Sequence, residues 1–412
     1  MKGCVAILFF VTIKITAFAQ NNQLDYFVTQ AKANSPLLKE YQNQLQSNTY
    51  DSLLIKAVYK PQVTGSSFNS YAPVVKGWGY DNIITNGGNF ISVVGVNKTI
   101  INKKNLATEF ENLQLQNQSI TNTSKITEQD LKRTISAQYI TVFGDQQQLN
   151  FNKEISALLS KEEVILKKLA EKNVYRQTDY LAFLVTLQQQ ELLIKQLNIQ
   201  FKYDYATLNY LSGITDTSIN TLKDPSISLN ELPDISSSSA FFKQFEIDSL
   251  KLNNSRALVN IAYRPKFNLF ADAGFNSSLA THAYKNFGTS FGVSAVIPIY
   301  DGRQRKLQYN KINIAENTRS NYKDFFKNQY SQQIARLMQQ LQATDELIKD
   351  INNQLKYTQS LIDINGKLLE TGEARIADYI LALNNYLNAK NLIAQNNINR
   401  LQIINQVNYW NR

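Results

Sequence analysis

From Arg303 to Asn365 the sequence contains neither proline nor glycine, so a single helix can run through it unbroken. Within and just beyond that run Ile334, Leu337, Leu341, Ile348, Ile351, Leu355, Ile362 and Leu369 recur at spacings of 3, 4 and 7. That is the apolar seam along which helices pack side by side. At about 1.5 Å per residue, a helix over residues 304–371 would reach roughly 100 Å, far more than a helix wrapped around one compact core needs. A chain organised around such a helix has to bridge separate places.

The long helix is preceded by a strand. From Phe291 every odd position to Ile299 is apolar (Phe291, Val293, Ala295, Ile297, Ile299), with Gly292 and Ser294 between the first of them, as a strand with one apolar face requires. A strand over about 288–300, a turn at Tyr300-Asp301-Gly302-Arg303, the long helix, a reversal near Gly372 and a returning helix over 376–410 complete this stretch.

The same order occurs once before. Ala262-Tyr263-Arg264-Pro265 lies 204 residues after Val58-Tyr59-Lys60-Pro61, the strand ending at Tyr300 lies 200 after the one ending at Ile100, and Ala377-Asp378-Tyr379-Ile380 lies 199 after Thr178-Asp179-Tyr180-Leu181. Three landmarks at nearly constant offset make the chain a tandem duplication. The first repeat, 20–213, reads as two helices broken at Asn34-Ser35-Pro36, strands over about 62–72 and 89–100, a long helix over 104–170 and a helix over 178–212 stopped by Gly213. In that long helix Leu106, Phe110, Leu113 and Ile120, then Leu131, Ile135, Val142 and Leu149, form the seam, and Gly144 is its one breaker. Pro225, Pro233 and Ser236 to Ser239 mark a linker over 214–240. The second repeat, 241–412, opens with a helix and has strands over about 266–279 and 288–300 before its long helix.

Residues 1–19 read as a cleaved secretory signal peptide, with Lys2, an apolar run from Val5 and an Ala17-Phe18-Ala19 site. The only cysteine, Cys4, leaves with it, so the mature chain has no disulfide and no lipid anchor through that residue. Cleavage lowers the formal charge from +10 to +8, since Lys2 and Lys14 are lost and residues 1–19 contain no acid. The remaining cations are spread along helices, which argues against a nucleic-acid surface. No later stretch has the eighteen apolar residues of a membrane helix, so entry into a membrane would be by strands. Each repeat offers two strands of about ten residues, the length that crosses hydrocarbon at a tilt. Four strands cannot close a barrel, and lipid does not tolerate an open edge. Two chains would give a filled eight-stranded barrel; three give twelve strands and room for a lumen, so a homotrimer is expected.

Catalytic chemistry is not offered. With one histidine, His282, and no cysteine after the signal, a conventional zinc site or a thiol nucleophile is unavailable. The acids Glu162 and Glu163, with Lys161 and Lys167 near, read as ordinary helix-surface ion pairs. No phosphate-cradling glycine loop is present, and no metal or cofactor is expected.

Pro298-Ile299-Tyr300-Asp301-Gly302-Arg303, the stretch from Gly372 through Arg375 and Asp378 to Ile380, and the duplication together resemble the TolC-like outer-membrane efflux proteins, over essentially the whole mature chain. The resemblance implies a mostly α protein with membrane β-structure: four strands per chain in a trimeric twelve-stranded outer-membrane barrel, and long coiled-coil helices in a periplasmic α-barrel. It implies outer-membrane lipid around the strands, a periplasmic adaptor (membrane fusion) protein and an inner-membrane transporter as partners, and a passive exit duct rather than an enzyme. The two reversals would form the periplasmic gate, with Asp378 and Asp179 as rings of charge, Arg375 and Arg176 as their basic partners and Gly372 at the turn. Taken alone, either Asp equally suits a helix amino-terminal acid. The first repeat departs from the family pattern with Lys98 for Pro298, Asn102 for Gly302 and Asn173 for the tip glycine, and Leu381 stands where a second acid is common. The competing reading is a periplasmic coiled-coil spacer or adaptor whose short strands form an ordinary sheet.

Overall fold

The computed structural model describes residues 23–80, 88–100, 102–230, 239–278 and 283–410. The expected signal segment and His282 lie outside them. In chain order the elements are α1 (Leu24–Asn34), α2 (Pro36–Val58), β1 (Gln62–Tyr71), β2 (Gly88–Ile100), α3 (Lys103–Glu171), α4 (Gln177–Ser212), α5 (Ala240–Ala262), β3 (Lys266–Ser277), β4 (Phe287–Val296), α6 (Gln304–Thr371) and α7 (Ile376–Trp410).

Local chemistry sets the limits of these elements. Pro36 has no N–H to give to α1 and opens α2 instead. Gly213 ends α4 in the left-handed conformation (φ 66°) and donates to the Tyr210 carbonyl, while Ile214 donates to that of Asn209. The Asn34 amide donates to the carbonyls of Ser212 and Gly213, tying the end of α1 to the end of α4. At the start of α6 the Asp301 carboxylate accepts from the backbone N–H of Arg303 (2.9 Å) and Arg305 (3.0 Å), capping the helix. β4 stops at Val296 rather than near 300; Pro298 cannot donate to a ladder.

The chain forms two compact units, and each takes a share of both repeats. One comprises Pro36–Glu128 and Pro233–Gln333 and carries the sheet. Its strands are ordered β1-β2-β3-β4, all neighbours antiparallel. Directly paired residues share a face, so the register sorts the side chains. Pairs such as Val63↔Val96, Val94↔Ala273, Ile100↔Phe267, Leu269↔Val293, Ala271↔Phe291 and Phe275↔Phe287 make one face apolar. The opposite face pairs Gly95 with Asp272, Asn97 with Phe270, Asp272 with Ser290 and Asn268 with Ser294, and the Ser290 hydroxyl donates to the Asp272 carboxylate at 2.7 Å. On that polar face the Phe270 ring lies over Gly292, where a Cβ would come within 2.7 Å of it. The apolar face is uncovered: Phe291 is 89% exposed, Val63 67% and Val293 65%. In the same unit α5 packs through Phe242 against Phe326 and Tyr330 of α6, with centroids 5.4 and 5.5 Å apart.

The other unit comprises residues up to Ser35, Gln129–Leu232 and Ile334–Asn411. Its core gathers Phe27 and Val28 of α1, Ile135, Tyr139, Val142 and Leu149 of α3, and Phe201, Tyr205 and Leu208 of α4. The segment after Gly213 is strapped onto this core. Buried Gln146 exchanges two hydrogen bonds with the backbone of Leu222 (3.0 and 2.7 Å), and the Tyr139 hydroxyl donates to the Lys223 carbonyl. In α6 the seam positions Leu337, Leu341, Ile351, Ile362 and Leu369 are buried, and Ile334, Ile348 and Leu355 half-buried.

One polar contact in this unit is costly. Asp145 of α3 faces Asp204 of α4, whose carboxylate accepts from the Gln200 amide at 2.6 Å. Asp145 Oδ2 is buried with no partner among the described residues. Burial first, then the hydrogen bond to Asp204 and its charge, pushes the Asp145 carboxyl up to about 7. A carboxyl raised in the folded state gives stability that is complete below its ordinary value near 3.8 and lost as pH rises through about 7. Asp145→Asn is therefore expected to raise the stability at pH 8 by about 1–2 kcal/mol, after discounting for partial exposure, and to change it little at pH 4. Thermal unfolding at the two pH values measures this; an equal shift at both would mean that the pair does not titrate with folding.

Candidate functional site

Both helical reversals are built the same way. In the first, Asn173 adopts the left-handed conformation (φ 59°), its N–H reaching Ala170 O and that of Val174 reaching Leu169 O. In the second, Gly372 (φ 80°) donates to Leu369 O and Glu373 to Leu368 O. Asn173 thus fills the place of glycine, as the residue type that best tolerates this conformation after it. At Gly372 a Cβ would also meet Val174 Cγ1 at 2.9 Å. The next helix restarts on equivalent residues: Asp179 and Tyr180 donate to the Arg176 carbonyl, Asp378 and Tyr379 to that of Arg375.

Tyr175 joins the two reversals. Its hydroxyl lies 3.0 Å from Leu369 O and 2.8 Å from Ala374 O, and a single O–H is shared between these two acceptors. Beneath lies a core of Leu159, Leu166, Phe183, Leu369, Ile376, Tyr379 and Leu383, all at most 2% exposed. Tyr175→Phe is expected to cost about 1–2 kcal/mol by leaving these carbonyls less well paired and to speed amide exchange at Gly372 and Glu373. Unchanged exchange there would mean that the hydroxyl does not hold the turns together.

The four charged residues predicted from sequence separate into two arrangements. Arg375 and Asp378 form a two-pronged ion pair, Nε to Oδ2 at 2.9 Å and Nη2 to Oδ1 at 3.0 Å. Arg375 is 83% exposed there, so the pair fixes where charge sits more than it adds stability. Arg176 and Asp179 form no such pair among the described residues; Arg176 opens α4 without a side-chain cap.

The expectation that Glu162 and Glu163 sit in helix-surface ion pairs is corrected. Glu162 is buried, with Oε2 lacking a partner among the described residues. Burial, and then the charge of Glu370, hold its carboxyl above the ordinary range. Glu163 instead accepts from the Tyr180 hydroxyl at 2.5 Å. The signal was present in the spacing: Ile155, Leu159, Glu162, Leu166 and Ala170 advance by 4, 3, 4 and 4, which places Glu162 inside the buried stripe. Tyr175 carried no such signal, because its partners lie about two hundred positions along the chain.

No protein-family profile matches the chain, and no curated protein sequence matches it either. Solved structures do. The CusC transmembrane channel shares 14% identity over 95% of this chain and 92% of its own, with a TM-score of 0.76. VceC, an outer membrane protein of Vibrio cholerae, shares 12% over 94% and 96% at a TM-score of 0.73. The open-state MtrE outer membrane channel of Neisseria gonorrhoeae shares 11% over 94% and 88% at 0.72. Near-complete coverage in both directions at TM-scores of 0.72 to 0.76 means that this chain has the TolC-like outer-membrane channel fold.

Proposed function

We propose that the protein is the outer-membrane exit duct of a tripartite efflux or secretion system, conducting substrates passively to the exterior. The observation that carries this reading is the sheet. Its four strands leave β1 and β4 as open edges, one face is apolar and exposed, and the other is the more polar, with Asn, Asp, Ser and Thr beside Phe68, Ile91, Val93 and Phe270. In water such a sheet would invite aggregation. In lipid its apolar face is solvated, its polar face lines a lumen, and three copies pair β4 to β1 to close twelve strands. In this reading residues 1–19 direct export and are removed, and the two reversals form the gate at the periplasmic mouth. A periplasmic adaptor docks on the helices and links the duct to an inner-membrane transporter.

The experiment is outer-membrane fractionation and detergent extraction, followed by light scattering and planar-bilayer recording. A heat-modifiable trimer that conducts is expected. A monomer in the soluble periplasmic fraction would leave the coiled-coil spacer as the better reading.

A further inference from the structure

The helix-proximal end of the sheet carries a concentration of positive charge that channel conduction does not call for. All four strands meet their helices at this end, as the pairs Gln62↔Asn97, Ile100↔Phe267 and Lys266↔Val296 establish. Here Lys60, Lys98, Lys103, Lys266, Arg303 and Lys306 are exposed. Lys98 lies on the apolar face, paired with Leu269 two rungs from the last pair of β2 with β3, where its stem can run along apolar surface while the ammonium reaches past it. The nearest acid in sequence to Arg303 and Lys306, Asp301, is committed to the backbone N–H groups of Arg303 and Arg305. Neither Arg303 nor Lys306 forms an ion pair among the described residues.

Between the end of β4 and the first turns of α6 lies an open cleft of about 430 Å3, lined by three cations, Arg303, Arg305 and Lys306, and one acid, Asp301, together with Tyr263, Tyr300 and Tyr309. Arg305 forms one wall, donating to Asn260 at 2.7 Å and lying over the Tyr309 ring. Ile299, at 96% exposed, and Tyr300, at 83%, stand beside it.

We propose that this basic rim and its cleft bind the phosphate head groups of anionic phospholipids in the leaflet facing the periplasm, fixing the depth at which the barrel sits. The inference rests on the membrane reading of the sheet. Two features select lipid over another ligand. The cations border the apolar face of the sheet, at the level where its hydrocarbon contact would end. They are also interleaved with tyrosines, whose apolar rings and polar hydroxyls suit an interface.

The test uses the full-length protein, purified in a neutral detergent and titrated with dioctanoyl phosphatidylglycerol, with dioctanoyl phosphatidylcholine and inorganic phosphate as separate arms. Lipid retention is read by native mass spectrometry, and oligomeric state by light scattering on the same samples. At roughly a fivefold loss per surface cation removed, the double variant Arg303→Gln/Lys306→Gln is expected to bind phosphatidylglycerol about 25-fold more weakly. Arg303→Lys/Lys306→Arg should retain binding, and Lys285→Gln, past the other end of β3, should change nothing. Equal binding of the two lipids, equal loss in the Lys285 control, or full competition by millimolar phosphate would overturn the proposal. So would a double variant that no longer assembles, because the cations would then belong to the contact between copies. A parent protein absent from the membrane fraction would refute the duct reading itself, whereas a membrane-embedded parent without lipid preference refutes only this inference.

Discussion

Leu341→Asp is expected to unfold the helical unit or bring it to the edge of unfolding. Leu341 is 6% exposed within a single chain, so its partners lie in its own protomer and the damage should precede any effect on assembly. Losing the buried leucine costs about 2–5 kcal/mol, and placing a carboxyl in its site adds several more unless it is protonated. The sum is comparable with the whole margin of about 5–15 kcal/mol by which a domain stays folded. Because the new carboxyl would have its pKa raised by burial, the penalty should grow as pH rises and ease in acid. Gln339→Asp, on an exposed position of the same helix, should stay within about 0.5 kcal/mol of the parent. Thermal unfolding followed by helical circular dichroism measures both. A Leu341→Asp protein that melts with the parent would show that the seam does not support the fold.

That seam illustrates what one sequence can carry. Spacing alone puts Leu337, Leu341, Ile351, Ile362 and Leu369 on one stripe, and all five are buried. Spacing does not say which helix the stripe meets, so the division into two compact units that both cut across the repeats was not legible. The strands behave similarly. β4 declares its apolar face by strict alternation, whereas β1 places Val63 and Phe68 on opposite faces and acquires a side only through its pairing with β2. The end of β4 is not legible, because apolar alternation continues through Ile299 while hydrogen bonding stops before Pro298.

The site follows the same division. Left-handed turns at Asn173 and Gly372 are properties of those residues and their immediate neighbours, and so is the three-residue reach from Arg375 to Asp378. Tyr175, by contrast, joins turns 199 positions apart, and only folding brings its hydroxyl to Ala374 O. Burial of Glu162 is legible in the apolar spacing, whereas its charged neighbours Lys161 and Glu163 suggest a surface, because a local count of charges ignores which face each one occupies.

The Arg375–Asp378 pair sets a two-sided expectation for conduction. If three protomers bring their second reversals to one axis, the proposed gate carries three carboxylates that are each neutralised within their own chain. Arg375→Gln frees them. Three carboxylates about 6 Å apart repel by about 3 kcal/mol per pair at an effective dielectric of 20, so that variant should draw cations, favour cation passage and become more sensitive to block by trivalent cations. Asp378→Asn does the opposite, leaving three guanidiniums and moving the reversal potential toward anions. Within one chain neither should disturb the helices by much, since the pair is exposed. Reversal potentials under a salt gradient, recorded from single channels, separate the readings. Shifts of opposite sign in the two variants place Asp378 at the conduction path. Identical potentials in parent and both variants would reduce it to an acid in the first turn of α7, favourable to the helix dipole and remote from the ions.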